Sequence, residues 1–168
     1  MTDDAKQARP PRPVAVLKRG LLLFWAAWLG LVFLTNLLDG LKAAGVLPGG
    51  WSFASGNYAF VCQTTARYGT PAWLNAVLFA GVVCWEGLAA VLFALAGLRF
   101  RAGRLRHAAF IAGLSLWGAF VLADEVFVAY ALEATHWRLF TAQLATLLAV
   151  ELLPEDGQAG DDRGVGKA

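Results

Sequence analysis

Leu21 to Leu38 reads LLLFWAAWLGLVFLTNLL and contains no charged residue. A helix needs about 20 apolar residues to cross a hydrocarbon layer of about 30 Å, and this run can extend to Leu41 past a single acid, Asp39. Two further runs follow it. Ala72 to Leu98 is interrupted only by Glu86, and Ala108 to Leu132 only by Asp124 and Glu125. A fourth, Leu139 to Leu153, carries Glu151 and stops at Pro154. It reaches spanning length only if its helix begins near Glu133, and a re-entrant or interfacial segment is the competing reading. The pattern predicts an all-α integral membrane protein. Its spans are expected over about 20–41, 72–98, 108–132 and 134–153, packed as a four-helix bundle with one long outer loop, 42–71.

Composition agrees with this reading. Of 168 residues, 58% are hydrophobic and 15% charged, against roughly 45–50% and about 25% in ordinary soluble domains. A soluble domain of this length cannot hide so much apolar sequence in continuous runs. The net charge of +2 makes no electrostatic case for nucleic acid. The expected partners are the lipid bilayer and either another membrane protein or a second copy of the chain. Cys62 and Cys84 are the only cysteines and have no CxxC or metal-ligand spacing. Cys84 is expected in mid-membrane and Cys62 in the outer loop, so depth alone argues against a bridge.

Lys and Arg placement orients the chain. Lys6, Arg9, Arg12, Lys18 and Arg19 precede the first span, and Arg99, Arg101, Arg104 and Arg106 lie between the second and third. The 42–71 loop has only Lys42 and Arg67, and the last loop only Arg138. Cytoplasmic loops carry the excess of Lys and Arg. The expectation is a multi-pass protein of the cell (inner) membrane with both termini cytoplasmic. Trp51, Trp73 and Trp137, with Tyr58, Tyr68 and Tyr130, then fall near the outer interface, where amphipathic rings settle. The first apolar stretch exceeds the roughly 7–15 residues of a signal peptide's core and reads as an uncleaved anchor. Residues 1–13 and 155–168 read as disordered, polar ends.

The outer loop opens with Gly45, Pro48, Gly49 and Gly50. Ser55-Gly56-Asn57 then fits the start of a short helix running to Arg67, ended by Gly69 and Pro71. It is either an interfacial helix lying on the bundle or a lid that docks a partner.

Ionisable residues inside a span are costly, and they usually face other helices or water and serve function. Asn75, Phe79, Val82, Glu86, Ala90, Phe93 and Gly97 share one helical face, whose small residues would let another helix approach. Ser115, Gly118, Leu122 and Glu125 form one stripe of the third span. Gly113, Trp117, Phe120 and Asp124 form the next. Successive helical residues point about 100° apart, so Asp124 and Glu125 cannot face one spot. Asn36 and Asp39 sit one turn apart near the outer end of the first span. The candidate site is an intramembrane polar cluster: Asn36, Asp39, Glu86, Asp124, Glu125, His136 and Arg138. Three roles fit it. It can be a hydrogen-bonded network that fixes packing, with His136 and Arg138 pairing the acids. It can be a transport or proton path. It can be a metal or catalytic centre. A di-iron bundle would require an ExxH on each of two helices, and Glu133-Ala134-Thr135-His136 is the one ExxH in the sequence; no P-loop, GxGxxG or GxSxG appears. No catalytic, cofactor-binding or metal residue is therefore assigned, and an enzyme is not the expectation. The basic residues at the cytoplasmic face are expected to set topology and touch anionic lipid.

Several short motifs carry a resemblance. They are Asn36-Leu37-Leu38-Asp39, Asn57-Tyr58-Ala59-Phe60-Val61, Glu86-Gly87-Leu88 and Asp124-Glu125-Val126-Phe127, followed by Trp137. Together they make the chain resemble a family of bacterial predicted small integral membrane proteins of unknown function. That family usually has Gly-Glu-Trp-Phe where this chain has Asp124-Glu125-Val126-Phe127. The resemblance implies four spans, a long first outer loop and a candidate acid pair, Glu86 and Glu125, but no reaction. The leading expectation is an accessory, structural or partner-binding membrane protein. The alternatives are a small transporter or proton-coupled carrier using Glu86, Asp124 and Glu125, and a membrane enzyme or cofactor-binding subunit.

Overall fold

The computed structural model describes residues 13–99 and 103–153. They form five helices: α1 Pro13–Ala43, α2 Asn57–Thr65, α3 Ala72–Leu98, α4 Gly103–Phe127 and α5 Tyr130–Leu152, with a 3-10 turn, Ala66–Tyr68, after α2. No strand occurs among the described residues. The tails expected to be disordered lie outside these residues, except Pro13, which opens α1. A proline suits the first helical position, where its missing N–H has no intrahelical partner to lose.

α1, α3 and α4 are long and apolar enough to cross a membrane. α5 has 23 residues, about 35 Å at 1.5 Å per residue, but it is not among them. Glu133, His136, Arg138, Gln143 and Glu151 dilute its hydropathy. α1 packs mainly on α3, α3 on α4, and α4 on α5; α1 and α5 touch only lightly, and α2 lies across α1 and α3. The end of the molecule carrying α2 is called the cap end, and the end at Arg19 and Leu98 the basic end.

The third expected span is shifted. It runs Gly103–Phe127 rather than 108–132, and α5 begins at Tyr130 rather than at Ala134. The boundary is a Schellman-type stop: Ala129 N donates to Asp124 O at 2.7 Å and Val128 N to Glu125 O at 3.2 Å. The residue that turns the chain is Val128, at φ 55. Glycine normally takes that position, since a Cβ there costs about 1–2 kcal/mol. With neither Gly nor Pro at the turn, hydropathy runs through it unbroken.

The apolar core fills the basic half of the molecule. Leu22, Trp25 and Leu29 of α1 meet Ala89, Phe93 and Ala96 of α3, Ala109, Phe110 and Leu116 of α4, and Val150 of α5. Phe93 and Phe110 meet edge to face with centroids 5.1 Å apart. α1 and α3 approach closely because small residues face large ones. A Cβ on Gly97 would stand 2.7 Å from Leu23 Cδ2, and one on Gly87 3.0 Å from the Phe33 ring.

Basic residues lock this end. Buried Lys18 donates to Leu153 O at 2.8 Å. Arg19 donates to Gly97 O at 2.8 Å and Leu98 O at 3.2 Å. Both thus satisfy carbonyls at the C-terminal ends of α5 and α3, where a helix leaves its last acceptors unpaired and concentrates partial negative charge. Arg106 pairs with Glu151 at 2.9 Å, and exposed His107 lies 3.5 Å from the same carboxylate. These side chains hold the helix ends together, besides any effect on topology.

Candidate functional site

The inward face predicted for α3 is inward: Asn75, Phe79, Glu86, Phe93 and Gly97 are buried, and Val82 and Ala90 are half-buried. α1 turns Asn36 and Asp39 toward the same side. Asn36 Nδ2 donates to both oxygens of Glu86, at 2.8 and 2.9 Å. Asn36 Oδ1 in turn accepts from Asn57 Nδ2 at 2.8 Å. A line of amide donors therefore runs from α2 through α1 to the carboxylate on α3. Glu86, 2% exposed, sits within a turn of the middle of its helix.

Asp39 serves α2 directly. The residue preceding that helix is Gly56, at φ 78, which has no side chain to cap it. Asp39 Oδ2 accepts from Tyr58 N at 2.7 Å and Ser55 Oγ at 3.4 Å, so the cap comes from α1. Ser55 Oγ accepts from Asn57 N at 3.2 Å. Thr65 Oγ1 donates to Asn75 Oδ1 of α3 at 2.8 Å. Tyr68 OH donates to Val126 O of α4 at 2.6 Å, with its ring against Phe127. α2 and the 3-10 turn after it are thus tied to α1, α3 and α4. Losing an N-cap costs about 0.5–2 kcal/mol. Asp39→Ala is accordingly expected to expose residues 57–65 to hydrogen exchange and proteolysis while the bundle keeps its protection. Asp39→Asn, which retains an acceptor, is expected to restore most of it. Unchanged exchange across 57–65 in the Ala variant would show that α2 does not depend on Asp39.

The remaining candidates form a second group on α4 and α5. Asp124 is buried, and its Oδ2 lies 2.5 Å from His136 Nδ1. The imidazole stacks on Phe120, centroids 4.9 Å apart. Of the two stripes read on this helix, Gly113–Trp117–Asp124 is buried, with Phe120 half-buried beside it. Ser115, Gly118 and Leu122 instead line an apolar groove of about 510 Å³ with Trp137 and Phe140. Glu125 and Arg138 are exposed, and neither side chain has a hydrogen bond or ion pair among the described residues.

The structure therefore brings Asn36, Asp39 and Glu86 together, and Asp124 and His136 together. No hydrogen bond among the described residues joins the two groups. His136 pairs an acid as expected, but Arg138 does not. No three of His, Cys, Asp and Glu among the described residues converge on one point. Sequence reasoning places Asn57 at the start of the loop helix without joining it to Glu86, and it passes over Gln143, which is fully buried in α5. Asn57 has a usable signal, a polar side chain at the helix start just before the apolar Tyr58, Phe60 and Val61. Gln143 is the one polar residue in the apolar stretch before Glu151 that is wholly enclosed. No family model, curated protein or solved structure matches the chain.

Proposed function

We propose that this chain is a small structural or partner-binding protein of the cell membrane. In this reading α1, α3, α4 and α5 all span as a four-helix bundle, α2 lies outside, and both termini are cytoplasmic. The observation that carries it is the fate of the buried acids. Glu86, Asp39 and Asp124 each end in hydrogen bonds to a neighbouring element. Toward the basic end, Trp25, Leu29, Phe93 and Phe110 close the interior. A carrier needs a site near the midplane reachable from each side in turn. A tied network with packed aromatics on one side suits a rigid platform better. The position of Glu86 is the feature that favours a carrier instead.

Three measurements test this reading. Purified protein in liposomes is expected to show no proton-coupled flux, and mild-detergent purification a defined homo-oligomer or stoichiometric complex by native mass spectrometry. Flux abolished by Glu86→Gln would replace the reading with a carrier, and a bare monomer would remove its support. For topology, single cysteines are placed in a Cys62→Ser, Cys84→Ser background. One at Asn57 is expected to react with an impermeant thiol reagent on intact cells, and one after Leu153 to resist it. Labelling of the latter would mean that α5 does not span.

A further inference from the structure

A buried carboxylate is ordinarily paired with a cation or held by several N–H donors. Glu86 is held by one amide. It is 2% exposed and forms no ion pair among the described residues. Both of its oxygens rest on Asn36 Nδ2, at 2.8 and 2.9 Å. Asn36 is itself buried, and its Oδ1 accepts from Asn57 Nδ2 at 2.8 Å. Asn57 is exposed. Two side-chain amides in series thus join the enclosed acid to the molecular surface at the cap end.

The order of atoms in this chain suits the ionised acid. A carboxylate only accepts, whereas a neutral carboxyl carries an O–H that needs an acceptor. Beside Asn36 Nδ2 that O–H would meet another donor. An amide side chain, however, holds its oxygen and nitrogen at nearly interchangeable positions. Turned over, Asn36 accepts from the Glu86 O–H through Oδ1 and donates through Nδ2. Asn57, turned over in the same way, accepts that donor through its own Oδ1. The contacts are kept and their direction is reversed. The reversal ends at an exposed residue, where solvent meets whichever Asn57 atom is freed.

The other titratable groups around the chain are engaged elsewhere or lie apart. On α1, Asp39 accepts from Tyr58 N and Ser55 Oγ, and Lys42 donates to Trp51 O. α2 brings Tyr58, whose ring meets Phe79 edge to face, and half-buried Cys62. Glu86 is the only charged residue of α3, and Cys84 of that helix is exposed. The buried acid of α4, Asp124, is held by His136. We propose that Glu86 is a proton-binding site, and that uptake of one proton reverses the Glu86–Asn36–Asn57 chain. The state of an acid enclosed on α3 is then displayed on α2 at the cap end. Water at the cap end supplies the proton, which bonds to one carboxylate oxygen, and no other covalent bond changes. Such a site is compatible with a rigid platform and with a carrier alike.

Side-chain amide resonances of the full chain, ¹⁵N-labelled at asparagine in nanodiscs and carrying Cys62→Ser, provide the test. They are followed from about pH 4 to about pH 9, the span of carboxyl titrations measured in proteins. Asn57→Ser identifies the Asn57 signal. That signal is expected to move in a single one-proton step. In Glu86→Gln, which has the donor and the acceptor of the neutral acid, the step is expected to vanish and the signal to stay at its low-pH position. In Asp39→Asn the step is expected to persist. An Asn57 signal that does not move with pH would overturn the proposal. So would a step that survives Glu86→Gln, or one that Asp39→Asn removes, since Asp39 would then be the titrating acid. If Glu86→Gln does not fold, the parent and Asp39→Asn spectra decide: a step in both supports the proposal, and its loss from either overturns it.

Discussion

Glu86→Lys is expected to abolish accumulation of folded protein, whereas Glu86→Gln is expected to cost only about 1 kcal/mol, the worth of one ordinary hydrogen bond. The carboxylate accepts two bonds from Asn36 Nδ2 in an enclosed position. Gln keeps one acceptor in the same place. Lys has none, so it turns an ammonium toward the Asn36 amide donors and leaves them unmet, at about 1–3 kcal/mol. A Lys at the centre of a membrane helix adds about 2.5–3.5 kcal/mol on insertion scales. Together these approach the lower end of the total stability of a typical domain, roughly 5 kcal/mol. The damage should also spread, because Asn36 holds Asn57 of α2. Expression level and thermal unfolding in detergent measure both effects. A Lys variant that accumulates and melts like the parent would place residue 86 in water and remove the enclosed network from the account.

How far the sequence could be read depends on which contacts are local. The buried face of α3 was legible because 3–4 spacing is a property of one helix, and Asn75, Phe79, Glu86, Phe93 and Gly97 all follow it. The 100° step likewise separated Asp124 from Glu125, and one is buried and the other exposed. The same step applied to His136 and Arg138, two residues or about 200° apart, would have removed Arg138 from the cluster. What no spacing supplies is which helix lies opposite. Asn36 meets Glu86 because α1 packs on α3, and His136 meets Asp124 because α5 folds back on α4. The two groups separate for that reason. The end of α4 was illegible for a different one: its turn residue is Val128 at a position where glycine is the usual marker. Lys18 and Arg19 were legible as charge but not as caps, since the carbonyls they satisfy lie on α5 and α3.

Removing His136 alone is expected to destabilise the protein by about 3–5 kcal/mol, the usual cost of stranding one member of a buried pair. Asp124 is only 4% exposed, and its partner nitrogen is the contact that the structure gives its side chain. Phe is the informative replacement, because it can keep the stack on Phe120 while deleting both nitrogens. Asp124→Leu alone should cost less, about 1–3 kcal/mol, since it strands a half-buried ring rather than a fully buried acidic side chain. The double variant, Asp124→Leu with His136→Phe, is expected to return to within about 1 kcal/mol of the parent, because replacing both partners by apolar groups of similar shape is often neutral. Unfolding midpoints in one detergent complete the cycle. Single effects that simply add in the double variant would show that the two side chains are not energetically coupled. Recovery would do more than confirm the pair: it would yield a folded protein without the carboxylate–imidazole contact. Any complex that this protein then fails to form would trace to the chemistry of the pair at the cap end of the α4–α5 seam, and not to loss of the fold.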